Sequence, residues 1–460
     1  MTDCVLTVNA GSSSIKFALF ALGGELSAPL LAGQVEGLGT APESLTHVQA
    51  LARVLAQVDA AGGQWRVAAV GHRVVHGGVG FAAPALIDEA MLPALQALAA
   101  LAPLHQPHNL SGIIAARAAF PTVPQVACFD TALHRSQPAV HQRFALPQHW
   151  HDAGVQRYGF HGLSYESIRA QLAASEPALL AGRVVVAHLG NGASMCGMAA
   201  GRSVATTMSF SPLDGLTMGT RCGRIDAAVV LHLIQHHGLD ADAVTQLLHQ
   251  QSGLLGLSGL SADMRILMAS ASPAAALAID HFVEAALREL AGLAAALRGI
   301  DALVFTGGIG ENAAPLRARI VEAAGWIGLQ LDAQANAAGA RCINAAGSAV
   351  QIRVLRTNEE AVIARQTLQA AGLAAALRGS DALVFTGGIG ENAAPLRARI
   401  VEAAPWMGLQ LDAAANAAGA SAINAAGSAV QIRVLRTNEE AVIARQTLQA
   451  AGLAGATSAR

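Results

Sequence analysis

The chain has few aromatic and few charged residues. Aromatic side chains make up 4% and charged side chains 13% of its 460 residues, and the formal net charge is -2. No run of Lys and Arg is interleaved with aromatic residues, so a nucleic-acid-binding surface has little to build on. The hydrophobic content of 53% is ample for one or two cores, and two domains is the expectation for this length.

Long apolar runs and paired cysteines are also lacking. The first residues, MTDCVLTVNA, do not place an apolar stretch behind a basic one, as a secretory signal would. The most apolar stretch, residues 274–297, carries acidic and basic side chains from Asp280 to Glu289, so we expect neither a membrane span nor a membrane partner. The 5 cysteines are odd in number and form no CxxC pair, which favours a reducing compartment, the cytoplasm.

A tandem repeat occupies the C-terminal part of the chain, because residues 292–371 recur as residues 372–451. The two copies differ at Ile300/Ser380, Gly325/Pro405, Ile327/Met407, Gln334/Ala414, Arg341/Ser421 and Cys342/Ala422. Solenoid units normally recur at least three times and diverge, since each unit must stack on its neighbours. The pattern therefore indicates a partial duplication, and we expect the first copy to complete the fold and the second to be surplus.

Short β-branched runs alternate with Ala- and Leu-rich helical stretches, which predicts an α/β fold. The predicted strands are 5–8, 15–20, 67–70, 123–128, 184–188 and 302–305. The predicted helices are 42–60, 89–102, 227–236, 273–297, 313–324 and 358–370.

Three glycine-rich segments each follow a predicted strand: Asn9–Ser14, His188–Ser194 and Thr306–Asn312. Small residues in a tight turn leave backbone N–H groups exposed, and such turns hold phosphate oxygens, as does a following helix N-terminus. An ordinary hairpin turn is an equal alternative for the first segment. None of the three is a P-loop or a dinucleotide fingerprint, because neither Gly-Lys-Ser/Thr nor an opening βαβ unit is present.

A series of motifs, taken in order, resembles the acetokinase family of the acetate and sugar kinase, heat-shock-protein and actin superfamily. The motifs are VNAGSSSIKF (8–17), GHRVVHGG (71–78), APLHQPHNLSGI (102–113), CFDTALH (128–134), RYGFHGLSY (157–165), AHLGNGAS (187–194), SPLDGLTMGTRCG (211–223), SGLLGLSGLSADMR (252–265), LVFTGGIGEN (303–312) and RTNEEAVIA (356–364).

The resemblance implies two actin-like, ribonuclease H-like domains around a nucleotide cleft. It places an N-terminal domain at residues 1–140, completed by a helix near 358–371, and a C-terminal nucleotide-binding domain at 141–357. Residues 372–451 would be the surplus copy. The family resemblance also implies a homodimer.

The function implied is reversible transfer of phosphate from ATP to acetate, giving ADP and acetyl phosphate, with Mg²⁺ or Mn²⁺. Two alternatives remain open at this point. The chain could be a propionate or butyrate kinase with a roomier pocket, or a nucleotide-binding protein whose catalysis the duplication impairs.

The family's functional residues map onto matching positions here. The resemblance implies catalytic roles for Arg73, Asp130, His161 and Arg221, with Asp130 expected to orient rather than to remove a proton. Metal-site positions would be Asn9 and Glu359, or Glu439 if the second copy is used. Nucleotide-contacting positions would be Lys16, His188, Leu189, Gly190, Asn191, Gly192, Asp263, Met264, Arg265, Gly308, Ile309, Gly310, Glu311 and Asn312. The pocket for the substrate methyl group would comprise Arg73, Val75, Leu104 and Pro212.

Two positions depart from the family pattern. Tyr165 stands where many relatives carry a second histidine, and Ala205 where many carry aspartate. Neither is among the positions assigned to bond making. His105 and His108, with His149 and His151, form no Cys/His set at ligand spacing, and zinc is not expected.

Overall fold

The structure is a computed structural model, and it describes residues 2–11, 14–24, 26, 28–38, 44–61, 65–373, 382–402, 409–428 and 430–435. These residues fall into two compact units. The first unit contains the described residues of Met1–Ala21 and Leu26–Ala371, and the second contains those of Leu22–Glu25 and Gly372–Arg460.

The first unit opens with a six-stranded sheet of strand order β3-β2-β1-β4-β6-β5. Its strands are β1 (Thr2–Ala10), β2 (Ser14–Ala21), β3 (Leu31–Glu36), β4 (Trp65–Val74), β5 (Ala85–Leu86) and β6 (Gln125–Phe129). Strands β1, β4 and β6 are mutually parallel, whereas β2 returns antiparallel to β1 with Lys16 opposite Asn9. The carboxyl ends of the three parallel strands therefore meet at one edge of the sheet.

Helices cover this sheet on both faces. Those that follow its strands in the chain are α1 (His47–Ala60), α2 (Met91–Ala97) and α3 (Gln106–Ala119). Thr46 and Gln49 form a capping box that starts α1, since each side chain bonds the other residue's backbone N–H. The last helix of the unit, Glu359–Ala370, lies against β1, β4 and β6. Its approach requires glycine at position 71, where a Cβ would come within 2.0 Å of Thr367 Oγ1.

A second, five-stranded sheet has the order β11-β10-β7-β8-β9. Its strands are β7 (Arg183–Leu189), β8 (Ala193–Ala199), β9 (Arg202–Thr206), β10 (Ala302–Thr306) and β11 (Gln351–Val354). Strands β7, β10 and β11 are parallel, and β7, β8 and β9 form an antiparallel meander. Strands β10 and β11 belong to the first repeat copy, so that copy is built into this sheet.

Helices α4 to α15 follow β6 along the chain and are interspersed with the strands of the second sheet, whereas α16 packs on the first sheet. They are α4 (Ala139–Gln142), α5 (Gln148–Asp152), α6 (Gly162–Ser175), α7 (Pro177–Leu180), α8 (Ala227–His237), α9 (Ala241–Gln250), α10 (Gly253–Ser258), α11 (Met264–Ala269), α12 (Pro273–Ala296), α13 (Gly307–Asn312), α14 (Ala314–Ala323), α15 (Ala333–Ala337) and α16 (Glu359–Ala370). The long helix α12 buries Phe282 and Leu290 in one core with Phe305 of β10. Among the described residues no helix combines the length and the apolar character needed to cross a membrane.

The second unit repeats part of the second sheet on a smaller scale. Its elements are β12 (Ala382–Phe385), α17 (Gly387–Asn392), α18 (Ala394–Glu402), α19 (Ala413–Ala417) and β13 (Gln431–Val434). Strands β12 and β13 pair in parallel as a two-stranded sheet. Phe385, Val401, Ile423 and Ile432 are buried in a separate small core.

Every predicted strand lies on an observed one, although Val123 precedes β6. For the helix predicted at 42–60, residues 42–43 lie outside the described residues and α1 begins at His47. The glycine segment after β10 was predicted as a turn and is instead the helix α13. The reason is Glu311, whose Oε1 accepts hydrogen bonds from the Gly307 N–H at 2.9 Å and the Thr306 hydroxyl at 3.3 Å. These bonds close the first turn of α13, so the glycine segment is helical from Gly307 to Asn312.

Candidate active site

The edge where β1, β4 and β6 end carries three of the predicted site residues. Asn9 is near the end of β1, Arg73 is near the end of β4, and Asp130 follows β6 directly. The Asp130 N–H donates to the Val74 carbonyl at 3.0 Å, which continues the parallel pairing past the strand end. Parallel strand order, rather than sequence proximity, therefore brings the three side chains together.

Arg73 is held on two sides. Its Nη2 and Nε donate to Asp130 Oδ2 at 2.6 and 3.0 Å, and its Nη1 donates to Asn9 Oδ1 at 3.2 Å. Burial alone would lower the pKa of Arg73, but the charges of Asp130 and Glu359 raise it above the ordinary value. Asp130 is buried, and its Oδ1 has no hydrogen-bond partner among the described residues.

His161 lies opposite this edge, at the start of α6. It adopts a left-handed backbone with φ 58°, a conformation that costs a residue other than glycine about 1 to 3 kcal/mol. The next residue, Gly162, donates its N–H to the Asp130 carbonyl at 2.9 Å, and a Cβ on Gly162 would clash with that oxygen at 2.2 Å. The strained backbone thus ties His161 directly to the loop that carries Asp130.

The hairpin between β7 and β8 brings its glycines to the same place. A Cβ on Gly192 would lie 3.5 Å from His161 Nε2 and 3.6 Å from Arg221 Nη1, so both side chains face the space beside this glycine. The rings of His161 and His188 are 4.4 Å apart. Burial and the neighbouring charges of His188 and Arg73 hold the pKa of His161 well below its ordinary value. Burial and Arg73 likewise lower the pKa of His188 to about 4.

Arg221 is a cation without an acidic partner among the described residues. Its Nη1 donates to the Pro212 carbonyl at 3.1 Å and contacts Met218 Sδ at 3.7 Å. Burial and the positive charge of Arg73 lower the pKa of Arg221 to about 10. A half-buried guanidinium that is repelled by another guanidinium leaves this part of the cleft suited to an anion.

Three carboxylates lie near Arg73, those of Asp130, Glu359 and Glu360. Burial raises the pKa of Glu359 to about 7; Arg73 opposes this shift, and the charges of Asp130 and Glu360 add to it. The largest cause is burial, and a cation placed beside this carboxylate would favour its charged form. Asn9 Oδ1, Glu359 and the unpartnered Asp130 Oδ1 supply the oxygen donors that a hard divalent cation prefers.

A cavity of about 450 Å³ lies between these groups. It is lined by Asn9, Lys16, His161, His188, Gly190, Asn191, Gly192, Gly307, Gly308, Glu311, Thr357, Glu359 and Glu360. The cavity therefore joins predicted metal, catalytic and phosphate-turn positions in one space.

A second cavity of about 900 Å³ shares Gly190, Asn191 and Gly308 with the first. Its other lining residues are Ala262, Asp263, Met264, Arg265, Met268, Ala269, Ile309, Asn312, Ala313 and Pro315. Asp263 starts α11 by accepting from the Arg265 N–H, and its carboxylate pairs with the Arg265 side chain at 2.6 Å. Most predicted nucleotide positions thus line two adjacent cavities. Leu189 and Gly310 do not, because both are buried in the packing around β7 and β10.

The predicted methyl-pocket residues have different surroundings. Val75 is buried in the core of the second sheet and donates its N–H to Asn109 Oδ1 at 2.9 Å. Pro212 is buried beside Arg221, and Leu104 is half-buried immediately before His105. None of the three lines either cavity described above, so the methyl pocket stays a prediction.

The sequence reasoning considered His105 only as a zinc ligand and gave it no place beside the arginines. Burial and the charges of Arg221 and Arg73 lower the pKa of His105 to about 3, which places its imidazole close to both arginines. Its only sequence signal was its position inside the APLHQPHN motif. Thr357 and Glu360, both on the wall of the smaller cavity, were also missed although they flank Glu359.

The second repeat copy carries the same glycine segment as α17, Gly387–Asn392. Glu439, the counterpart of Glu359, falls outside the described residues.

Comparison with known proteins gives a consistent result. The family model described as the acetokinase family matches residues 4–365 and again residues 368–445. An acetate kinase from Methylocella silvestris is 50% identical over 396 residues, covering 80% of this chain and 98% of that protein. Among solved structures, an acetate kinase from Porphyromonas gingivalis is 33% identical with a TM-score of 0.72, covering 80% of this chain and 100% of that one.

A propionate kinase from Francisella tularensis is also similar. It is 35% identical with a TM-score of 0.73, and the match covers 80% of this chain and 99% of that one. These neighbours confirm the predicted fold class, an α/β protein of the actin-like superfamily with two sheets.

Proposed function

We propose a mechanism from one premise: the chain belongs to the acetokinase family and is a kinase that transfers phosphate from ATP to acetate. ATP, ADP and a divalent metal ion are the cofactors of this reaction, and acetate and acetyl phosphate are its substrate and product. The propionate or butyrate alternative is not favoured, because the curated relative at 50% identity is an acetate kinase.

The transfer is a direct in-line displacement. A carboxylate oxygen of acetate attacks the γ-phosphorus while the bond to the ADP oxygen breaks. Acetate is already ionised at neutral pH, so its oxygen needs no general base. The barrier lies in bringing one anion up to another, and positioning and charge neutralisation must supply the catalysis.

The main support for this mechanism is the environment of Arg221. This residue is half-buried, has no acidic partner among the described residues, and faces the same space beside Gly192 as His161 Nε2. Guanidinium forks fit phosphoryl oxygens in a bidentate manner. The negative charge of the transferring phosphoryl group would balance the positive charge of Arg221. The His161 side chain would donate a hydrogen bond to another oxygen of the same phosphoryl group.

Arg73 binds the acetate carboxylate or the phosphoryl group from the opposite side. Two hydrogen bonds to Asp130 Oδ2 fix its guanidinium plane, so Asp130 acts by orienting Arg73 and not by removing a proton. Val75, Leu104 and Pro212 form the apolar end that receives the methyl group. Such a pocket discriminates one methylene by about 1 to 3 kcal/mol, so propionate should be a poorer substrate.

The residues present fit a divalent cation. Asn9 and Glu359 would hold it, with Asp130 Oδ1 available to a bound water, and Mg²⁺ is the ion best suited to such oxygen donors, with Mn²⁺ as a substitute. When bound, the ion neutralises negative charge on the nucleotide phosphates. The cavity of about 450 Å³ would receive those phosphates beside Lys16 and the glycine hairpin, and the cavity of about 900 Å³ would receive the adenosine.

The first repeat copy contributes residues to the wall of the smaller cavity. Gly308, Thr357 and Glu359 all line the smaller cavity and all belong to residues 292–371. We accordingly divide the working enzyme into residues 1–140 with the helix near 358–371, and residues 141–357. Residues 372–451 are surplus to catalysis.

The enzyme is proposed to be a homodimer that acts in the cytoplasm. Helix α8 has an apolar sequence, and no residue of it is buried in the described structure. A second copy of the chain would cover this face. Cys4, Cys128 and Cys196 are buried free thiols, which suits a reducing compartment. The composition gives no reason to add nucleic acid or a membrane to its partners.

Acetyl phosphate formation with ATP and Mg²⁺, trapped as the hydroxamate, tests the function across acetate, propionate and butyrate. Arg221→Ala should lower kcat by about 10³-fold, since a phosphoryl-binding arginine is worth at least that much. Arg224→Ala is the nearby control, because Arg224 lies three residues on, has an exposed side chain and pairs with the buried carboxylate of Glu289 at 2.8 Å. Equal activity of both variants would overturn the role of Arg221, and failure of the unchanged chain to form any acyl phosphate would overturn the function.

A further inference from the structure

A buried chain of hydroxyl groups ends on the catalytic histidine. Nδ1 of His161 lies 2.8 Å from Ser194 Oγ, and the same oxygen is hydrogen-bonded to the Tyr165 hydroxyl. Tyr165 is on α6 one turn after His161, Ser194 is on β8, and both are fully buried. No role in the proposed mechanism has yet been given to either hydroxyl.

Counting protons fixes the direction of these bonds. The Tyr165 hydroxyl has Ser194 Oγ as its only hydrogen-bond partner among the described residues. A buried O–H that donates to nothing costs about 1 to 3 kcal/mol, so the phenol donates to Ser194 Oγ. Ser194 has a single proton, which is then available only for His161 Nδ1. His161 Nδ1 is therefore an acceptor, and its ring proton is on Nε2.

The opposite arrangement is disfavoured by the same count. A doubly protonated His161 would donate from Nδ1 to Ser194 Oγ, and Ser194 would have to donate to the Tyr165 oxygen. The phenol proton would then be left without an acceptor inside the core. The hydroxyl chain thus opposes protonation of His161 as well as the other neutral tautomer.

The Nε2 side of the His161 ring shows what this tautomer could do. His161 Nε2 faces the space beside Gly192 that Arg221 Nη1 also faces. We propose that Tyr165, acting through Ser194, is a positioning residue that keeps His161 neutral with its proton on Nε2, so that the histidine donates a hydrogen bond to the transferring phosphoryl group and takes up no proton. The use of that N–H, though not the tautomer itself, rests on the function proposed above.

The test is made on the full chain with ¹⁵N-labelled histidine. The ring nitrogen shifts of His161, assigned by their loss in His161→Gln, should show a neutral ring with the proton on Nε2 from pH 8 down to pH 6. In Tyr165→Phe the ring stays in the core but the terminal donor is lost, and the shifts should move toward the other tautomer or the protonated ring. Tyr158→Phe is the matched control, because the only other tyrosine donates its hydroxyl to the Gly154 carbonyl at 2.7 Å.

Kinetics give a second readout. Tyr165→Phe should lower kcat between about 10-fold and 100-fold, as loss of an orienting hydrogen bond does elsewhere, with little change in KM for acetate or ATP. The pH profile of kcat should gain a new acidic limb that Tyr158→Phe lacks. A wild-type ring protonated on Nδ1 at pH 7, or shifts and pH profile unchanged in Tyr165→Phe, overturns the proposal. A correct tautomer in a chain that makes no acyl phosphate would instead count against the function alone.

Discussion

Arg317 and Arg397, equivalent residues of the two repeat copies, make the same buried hydrogen bonds. The Nε of Arg317 donates to Asn336 Oδ1 at 2.8 Å, and the Nε of Arg397 donates to Asn416 Oδ1 at 2.8 Å. Each Nη1 also donates to the carbonyl of the last glycine of its glycine segment, at 2.9 Å in both copies. The repeated sequence therefore specifies its own local core, independently of the strands around it.

The outward faces of the copies differ. Leu316 and Ile320 of α14 are 2% and 0% exposed, because α12 lies over them. Their counterparts Leu396 and Ile400 on α18 are 40% and 42% exposed. The chain has one α12 and two segments that fit it, so one apolar helix face remains uncovered whichever segment is used.

A chain that ends at Ala371 should keep its acetyl phosphate activity, because every residue proposed for catalysis precedes that point. In the full-length chain, Glu359→Ala should lower kcat at least about tenfold through loss of a metal ligand, whereas Glu439→Ala should leave it unchanged. The hydroxamate assay measures all three. Loss of activity on truncation, or on changing Glu439 alone, would show that the second copy completes the site.

A glutamate should destabilise the protein at position 320 but not at the equivalent position 400. Ile320→Glu buries an unpaired carboxylate under α12 and should reduce the free energy of unfolding by at least about 3 kcal/mol. Ile400→Glu lies on the exposed face of α18, so it should leave activity and the main urea transition unchanged while reducing aggregation. Urea unfolding and light scattering of both variants check this. A large destabilisation by Ile400→Glu would mean that its face is covered in solution.

Much of the fold follows from local sequence pattern. β1 and β7 are continuous apolar runs bounded by turn residues, and α12 has a long apolar stripe, so each was predictable from its own segment. Helix α6 was not predicted, and its start contains Gly162 and Ser164, residue types that are common in turns. The parallel order of β1, β4 and β6 was not predictable either, because it depends on pairing between residues far apart in the chain.

The contacts within the site were also not predictable from local sequence patterns. Arg73 and Asp130 were found as members of motifs, but their hydrogen bonds follow from strand order that no local pattern contains. Glu311 was assigned to the nucleotide, yet its Oε1 accepts from Gly307 and Thr306 and holds α13 in place. His105 was weighed only as a zinc ligand and was set aside for lack of a Cys/His set at ligand spacing. Only the fold brings it close to Arg73 and Arg221.

Stability should fall in mild acid because buried histidines must remain neutral. Burial lowers the pKa of His72 to about 4, although its hydrogen bond to Gln125 partly opposes the shift. The unfolded chain binds this proton near pH 6.5 and the folded chain near pH 4. The contribution of neutral His72 to the free energy of unfolding is therefore fully present above pH 6.5. It is lost as the pH falls toward 4, by up to about 1.4 kcal/mol per pH unit.

Urea unfolding between pH 7 and pH 5 measures that slope. His72→Gln can still pair with Gln125 but cannot titrate, so the variant should lose about this much of the pH dependence. His149→Gln, at an exposed position, is the control and should keep the original slope. Identical slopes in the wild type and His72→Gln would contradict the assignment.

The apolar face of α8 should be the contact between two copies of the chain. Val229, Leu231 and Ile234 are all exposed, with Leu231 at 55%, although a helix so apolar is normally covered. Leu231→Glu should therefore convert a dimer into a monomer with its fold intact, as measured by light scattering after size exclusion and by circular dichroism. Leu260→Glu, an equally exposed leucine on the loop after α10, controls for the added charge. If the wild type is already monomeric at micromolar concentration, or if Leu231→Glu remains dimeric, the chains do not associate through α8.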